Sequence, residues 1–241
     1  MMNSPICKML GIEFPLLAFS HCRDVVAAVS KAGGMGVFGA VNLPPDRLKE
    51  ELDWIDKHCA GKPYGVDLIV PNKMEGKSDP FSASALLAAI PQQHKDFAAG
   101  ILKQHGIEPG DLEGDRSNSV NFARNMRADG AAGSLEIAFQ YPIKLIANAL
   151  GVPPAIMLEL GKRHGVPVAS LVGAKEHAVA QVQAGVDILV VAGGEAGGHC
   201  GDVSTMVLIP EVYRAVKQMG AGTPILAAGG ITTGAQMAAA M

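Results

Sequence analysis

The 241-residue sequence has few charged residues, few aromatic residues and no strong excess of either charge. Charged residues make up 18% of the chain and aromatic residues 5%, and 20 Lys+Arg against 23 Asp+Glu leave a formal net charge of -3. A nucleic-acid-binding domain usually carries a strongly basic surface, and a disordered chain combines low hydrophobicity with high net charge. With 49% hydrophobic residues and this charge balance, the chain has neither composition.

Signals for membrane insertion, secretion and metal binding are also lacking. No apolar run approaches the roughly 18 residues of a membrane helix, and the first 20 residues lack the layout of a signal peptide. The four cysteines, Cys7, Cys22, Cys59 and Cys200, form no CxxC pair and have no histidine at zinc-finger spacing. We therefore expect a soluble, cytoplasmic protein with reduced thiols, no metal site, and neither nucleic acid nor a membrane as a partner.

Glycine is the residue that the chain has in excess. Its 29 glycines compare with roughly 17 at the average usage of about 7%. A glycine at the end of a strand allows the backbone to approach a ligand closely. The excess of glycine together with the low aromatic content is typical of an α/β protein with ligand-binding turns.

Short apolar segments alternate with helix-like segments almost throughout the chain, which is the pattern of parallel β/α units. Most are continuous apolar runs such as DILVV and PILAA, as expected for strands that are covered on both faces. The seven predicted strands are Phe14 to Phe19, Met35 to Phe38, Tyr64 to Val70, Ile143 to Ala147, Val166 to Val172, Asp187 to Ala192 and Thr223 to Ala228. The predicted helices include Arg23 to Ala32, Pro45 to Cys59, Pro154 to His164, Lys175 to Ala184, Pro210 to Met219 and one from Thr232 onward.

One long connection, residues 71-142 between the third and fourth strands, interrupts this alternation. It contains helix-like pieces at Ala83 to Ala89, His94 to His105 and Ser119 to Asp129. Connections of this length inside a compact α/β domain are usually functional, and one that follows a strand would overhang the carboxyl end of a barrel. We expect a helical insert that caps the active site; the alternative is a surface insertion without a catalytic role.

The motif with the strongest chemical signal is AGGEAGGHCGD, which runs from Ala192 to Asp202 directly after the apolar run DILVV. Its glycines allow a ligand to approach the backbone, and His199 has an ordinary pKa near 6.5. An imidazole at a strand end can take a proton from a carbon acid at neutral pH, which makes His199 the candidate catalytic base. The alternative is a histidine that only orders the loop. Cys200 is interpreted as a small loop residue, because adjacent side chains rarely point the same way.

A second glycine-rich motif is PILAAGGITTG, from Pro224 to Gly234. The turn at Gly229 and Gly230, followed by the start of a helix, is typical of a phosphate-binding site at a barrel's last strands. The sequence has no GxGxxG directly after its first predicted strand, and the motifs GxxxxGK[ST] and GxSxG are missing. Their absence argues against a Rossmann dinucleotide site, a P-loop and an α/β-hydrolase nucleophile.

These segments resemble the nitronate monooxygenase family, also called 2-nitropropane dioxygenases. The resemblance is carried by KMLGIEFPLLAFS, KAGGMGVFGA, YGVDLIVP, NALGVPP, QAGVDILVVAGGEAGGHCGDVSTMVLIPEV and TPILAAGGITTG. NALGVPP and DVSTMVLIPEV are closer to a branch of NAD(P)H-dependent flavin oxidoreductases, some of which act on acyl-CoA intermediates of steroid-ring breakdown. The resemblance implies an FMN-dependent TIM-type (β/α)8 barrel within 1-241, lacking its last strand, because relatives continue beyond the helix in which this chain stops.

The resemblance also implies the residues that hold FMN. Asp67 stands where many relatives have Asn, which puts a charge near the flavin unless the carboxyl group is protonated or paired. His199 is the histidine at a family catalytic position, since Ala149 stands near the place where some relatives have another. The implied cofactor-binding residues are Ala18, Phe19, Ser20, Asp67, Ala147, Asn148, Gly193, Gly194, Gly198, Gly229 and Gly230.

The sequence leaves three functions open. The first is oxidation of alkyl nitronates with O2, in which His199 handles the proton next to the nitro group. The second is an NAD(P)H-dependent flavin reductase or dehydrogenase acting on an enoyl or acyl-CoA type substrate, and the third is a flavin-free lyase or isomerase that binds a phosphorylated substrate. The expected partners are a small-molecule substrate and O2, with a homodimer as the candidate assembly.

Overall fold

The computed structural model describes residues 4–70, 88–107, 128–198 and 200–241. All seven predicted strands are present, and they form one parallel sheet in chain order that curls into a half-barrel. The strands are β1 (Leu17–Ser20), β2 (Met35–Gly39), β3 (Tyr64–Leu68), β4 (Leu145–Asn148), β5 (Val168–Val172), β6 (Ile188–Ala192) and β7 (Ile225–Ala228). The prediction of a TIM-type barrel wall is therefore confirmed, with β1 and β7 at the two edges of the sheet among the described residues.

Helices alternate with these strands, as predicted. Within the described ranges they are α1 (Pro5–Leu10), α2 (Arg23–Lys31), α3 (Pro45–His58), α4 (Gln92–Gln104), α5 (Ala128–Ala138), α6 (Ala155–His164), α7 (Lys175–Ala184), α8 (Thr205–Gln218) and α9 (Gly234–Ala240). The two helices α6 and α7 end at Gly165 and Gly185, whose φ angles of 65° and 90° are left-handed. Glycine adopts this conformation without a steric penalty, which is why it ends helices so often.

The predicted start of α8 at Pro210 is wrong, because the helix begins at Thr205 and Pro210 lies inside it. Proline favours the first turn of a helix, and in the interior it removes one hydrogen bond to the preceding turn. The earlier start is stabilised from outside the helix, since the Glu195 carboxylate accepts the Thr205 N–H at 2.8 Å. This contact joins residues ten positions apart, and helix periodicity does not reveal it.

The interior of the half-barrel is filled from the amino ends of the strands. Side chains that alternate along the strands, including Leu17, Met35 and Leu145, pack together with Leu10 of α1 and Ile12. The same cluster reaches Val37, Ala147, Ala169, Ile188, Val190 and Leu226. The amino ends are thus occupied by large apolar groups, and the smaller side chains lie toward the carboxyl ends.

The outer face of the sheet is covered by helices, one of which comes from the predicted insert. Leu135 and Ala138 of α5 are fully buried in the cluster that also contains Val66 and Leu68 of β3. Residues 128–138 therefore belong to the barrel wall. Helix α4, in contrast, has no buried residue. Residues 71–87 and 108–127 of the insert lie outside the described residues, and its capping role stays a prediction.

Candidate active site

The predicted cofactor-binding residues lie at or just beyond the carboxyl ends of five strands. Because all seven strands are parallel, these ends meet along one edge of the sheet, where barrel enzymes place their active sites. Residues of neighbouring strands are in register here: Gly39 pairs with Asp67, and Asp67 pairs with Ala147. His199, the predicted base, lies outside the described residues, and its role stays a prediction. Gly198 next to it is exposed, with a φ angle of 77°.

The end of β1 carries an exposed aromatic ring that is held by a histidine. Phe19 is 56% exposed, and its ring meets that of His21 edge-to-face at a centroid distance of 5.0 Å. His21 Nδ1 lies 2.8 Å from the carbonyl oxygen of Gly39. A Cβ on Gly39 would lie 2.6 Å from Phe19 Cζ, so the absence of a side chain there makes room for the ring. Sequence reasoning missed His21, although it directly follows the predicted residues Ala18 to Ser20.

Asp67 is the one buried carboxyl group among these residues. Its side chain is 7% exposed, and Oδ1 has no hydrogen-bond partner among the described residues. Burial raises the pKa of this carboxyl to about 8, because desolvation penalises the charged form. Its partners in register, Gly39 and Ala147, have no polar side chain. Asp67 is therefore predominantly a neutral acid at neutral pH.

The raised pKa of Asp67 predicts how stability depends on pH. The ordinary value is near 3.8, so between about pH 4 and 8 the folded protein binds a proton that the unfolded chain has released. The contribution of this group to stability is therefore fully present at about pH 4 and below, and it falls as pH rises toward 8, by up to about 1.4 kcal/mol per pH unit. We expect Asp67→Asn to remove this slope, measured as the difference between wild type and variant in urea unfolding at several pH values. A difference that is constant across the range would contradict the prediction.

Asn148, at the end of β4, is fully buried and uses its side chain within the protein. Its Oδ1 accepts the N–H of Val70 at 2.8 Å, and its Nδ2 donates to the carbonyl of Leu150 at 2.9 Å. The carbonyl of Gly151 also accepts from Ser170 Oγ at 3.2 Å and from Gln181 Nε2 at 2.9 Å. These bonds hold the chain beyond β3 and β4 in place, so Asn148 has a structural role beside the cofactor contact predicted for it.

The loop after β6 is held against α8 by Glu195 and Thr205. Glu195 Oε2 accepts both the Thr205 N–H at 2.8 Å and the Thr205 hydroxyl at 2.9 Å. The bond from the Thr205 N–H is the main reason that the pKa of Glu195 is lowered. Gly193 lies against the start of α8, because a Cβ at Gly193 would be 2.3 Å from the Thr205 nitrogen. Neither Glu195 nor Thr205 was among the predicted site residues, because their pairing depends on the fold of the loop.

The loop after β7 contacts Glu195 and Thr205. Gly229 and Gly230 have φ angles of 105° and 71°, and a Cβ on Gly229 would be 2.7 Å from Thr205 Oγ1. The N–H groups of both glycines lack a hydrogen-bond partner within the described part of the chain. The N–H groups of Thr232 and Thr233, in contrast, donate to Gln236 Oε1 at 2.9 Å each. The donors available to a phosphate are therefore those of the glycine turn.

The parallel barrel wall therefore has two glycine-rich loops at its carboxyl edge, together with a buried carboxyl group whose Oδ1 lacks a partner among the described residues. This is the edge at which TIM-barrel enzymes place their ligand-binding sites. Comparison with protein families identifies the class more closely. The family model of nitronate monooxygenase matches residues 3–241, and the chain belongs to this family.

The chain is also similar to individual proteins of Mycobacterium tuberculosis. The chain is 47% identical over 241 residues to "Putative monooxygenase Rv1533" of Mycobacterium tuberculosis, covering 100% of this chain and 63% of the relative. It is 26% identical to the (3aS,4S,5R,7aS)-5-hydroxy-7a-methyl-1-oxo-octahydro-1H-indene-4-carboxyl-CoA dehydrogenase of the same organism, covering 100% of this chain and 52% of the relative. The chain thus spans less than two thirds of the length of these relatives.

Solved structures share the fold. A nitroalkane oxidase of Streptomyces ansochromogenes is similar with a TM-score of 0.69 and 25% identity, over 98% of this chain and 64% of that chain. FabK of Thermotoga maritima is similar with a TM-score of 0.67 and 24% identity, over 100% of this chain and 58% of that chain. Within the described ranges, no helix is both long and apolar enough to cross a membrane.

Proposed function

We propose that this chain forms the FMN-binding part of a flavin-dependent oxidoreductase that oxidises alkyl nitronates with O2. The observation that carries the proposal is the buried Oδ1 of Asp67, which has no partner among the described residues and lies at the edge where barrel enzymes place their active sites. A buried polar atom without a partner is costly, and a polar ligand atom at this place would offset that cost.

The residues present fit an FMN molecule. The free N–H groups of Gly229 and Gly230 suit a phosphate, and the glycines of the β6 loop, including Gly193 and Gly194, permit close approach of a flat ring. Asp67 would meet a polar atom of the ring system between two residues without polar side chains, Gly39 and Ala147. When bound, FMN supplies the redox chemistry of the reaction.

The other residues of the site orient the substrate, exclude water and handle the proton. The exposed Phe19 ring, fixed by His21, offers an apolar wall at the end of β1. His199 is proposed as the base that takes the proton next to the nitro group when the substrate arrives as the neutral nitroalkane, which becomes the nitronate. The loop that precedes His199 is held at the carboxyl edge by Glu195 and Thr205.

A second function is supported by one of the relatives. The carboxyl-CoA dehydrogenase of Mycobacterium tuberculosis matches along this whole chain at 26% identity. We propose as the second candidate an NAD(P)H-dependent reductase or dehydrogenase that acts on an enoyl or acyl-CoA type substrate. The same FMN site would serve both functions, and the substrate and the reductant distinguish them.

One preparation tests both candidates. The purified chain is expected to take up FMN and to show a shifted flavin absorption band after gel filtration. The same sample is then assayed for O2 uptake with a three-carbon nitronate, and for oxidation of NADH and NADPH with an enoyl-CoA acceptor. Nitronate-dependent O2 uptake supports the first function, and acyl-CoA-dependent oxidation of NAD(P)H supports the second. A sample that stays colourless after incubation with FMN contradicts both and favours the flavin-free lyase or isomerase.

A further inference from the structure

The environment of Asp67 contains no charged partner among the described residues. The elements that pack most extensively against β3 are β2, β4, α2 and α5. The β2 and β4 neighbours of Asp67 are Gly39 and Ala147, which carry no titratable group. Helices α2 and α5 contribute Val26, Ala27, Ala131, Leu135 and Ala138 to the cluster around Val66 and Leu68. These two β3 residues alternate with Asp67 and point to the opposite face of the sheet.

The polar side chains near this edge have other partners. His21, the titratable group on the Gly39 side, has its Nδ1 2.8 Å from the Gly39 carbonyl. The Asn148 amide is bonded to Val70 and Leu150. Desolvation is accordingly the whole cause of the raised pKa of Asp67. In this position the protonated carboxyl group of Asp67 can donate a hydrogen bond, and no acceptor for it is found among the described residues.

We propose that Asp67 is a neutral carboxylic acid that donates a hydrogen bond through its O–H to an oxygen or nitrogen acceptor of the bound flavin. This proposal rests on the proposed function, and it assigns to Asp67 the donor role that an amide side chain would have at the same place. An ionised carboxylate has only acceptors, so it cannot make this bond and would repel an acceptor atom. Ligand binding would therefore require the protonated form.

The consequence is a dependence of FMN affinity on pH that originates in one residue. The pKa of Asp67 is raised to about 8, so the acid form predominates at neutral pH and is lost above that value. If only the acid form binds, the Kd rises up to about tenfold for each pH unit above the pKa. The phosphate of FMN has completed its own titration, with a pKa near 6, before this range begins.

The test measures the Kd of FMN by fluorescence titration between about pH 7 and 9.5. We expect wild-type affinity to weaken by about tenfold or more across this range. Asp67→Asn keeps a donor that does not titrate, so its Kd should match wild type at pH 7 within about threefold and stay constant. Asp67→Ala removes the donor, and its Kd should be about 2- to 10-fold weaker at pH 7 and also constant. Far-UV circular dichroism at each pH checks that all three proteins stay folded.

The carboxyl ¹³C shift of Asp67 in the free protein gives a second readout that requires no cofactor. A titration midpoint near 8 supports the proposal, and one below about 5 overturns it, because the group is then ionised at neutral pH. Wild-type binding that is equally strong across the range, or an Asp67→Asn variant that weakens like wild type, overturns this proposal alone. No FMN binding by wild type at pH 7 overturns the proposed function and this proposal with it.

Discussion

Turnover of the neutral nitroalkane, from which His199 takes the proton next to the nitro group, is expected to fall by about 10²- to 10⁴-fold when His199 is replaced by alanine, while FMN stays bound. The imidazole is the proposed acceptor of the substrate proton, and a water molecule in its place is a poorly positioned base. The measurement is kcat and kcat/KM for O2 uptake, together with flavin absorbance. The pH profile of kcat/KM should also lose its ionisation near the ordinary histidine value of about 6.5.

His177→Ala is the matched control for this variant, because His177 is an exposed residue of α7 outside the site. It should keep the kinetics of wild type. Unchanged turnover in His199→Ala would show that the histidine only orders its loop, which is the alternative that the sequence leaves open. Loss of flavin together with loss of turnover would also contradict a role confined to proton transfer.

Gly193→Ala is expected to destabilise the protein by about 1–3 kcal/mol. It is also expected to weaken FMN binding by at least about tenfold. The added Cβ would lie 2.3 Å from the Thr205 nitrogen and 2.4 Å from its hydroxyl oxygen, so the backbone at the start of α8 has to move. That movement breaks both bonds from Thr205 to Glu195 and displaces the β6 loop from the glycine turn after β7. Urea unfolding and FMN titration measure the two effects.

Gly197→Ala changes the same loop without a clash, since a Cβ at Gly197 has nothing within 4 Å. It should leave stability within about 1 kcal/mol of wild type, or raise it slightly through the unfolded state. If both alanine variants bind FMN as wild type does, the loop after β6 is not part of the cofactor site. If both lose binding equally, flexibility of the loop matters more than its contact with Thr205.

Whether an element could be predicted from the sequence depended on whether its signal is local or comes from a distant contact. Strands such as Ile188–Ala192 are covered on both faces, so their apolar character is continuous and can be identified without a partner. The start of α8 is different, because the Glu195 carboxylate that binds the Thr205 N–H lies in the preceding loop. Local propensity therefore pointed to Pro210. Residues 128–138 were assigned to the insert for a similar reason, since only packing against β3 shows that they belong to the wall.

In the candidate site, too, the local features could be predicted from the sequence and the contacts between distant residues could not. Glycine-rich segments after apolar strands are local features, and they located the loops at Gly193, Gly194, Gly229 and Gly230. The contact of His21 with the Gly39 carbonyl, which fixes the Phe19 ring, and the bonds from Thr205 to Glu195 join residues that belong to different elements. No spacing in the sequence encodes these contacts, because they depend on how neighbouring strand ends meet.

By itself, the sequence of this protein determined the alternation of strands and helices, the two glycine-rich loops and the family. Each of these follows from local composition and order. The protonation state of Asp67 was decided by the tertiary structure alone. A carboxyl group is ionised at neutral pH in water. It stays neutral here because β2 and β4 bury it beside Gly39 and Ala147, and no charged side chain among the described residues offsets the lost hydration. That desolvation exists only when the strands are packed in register.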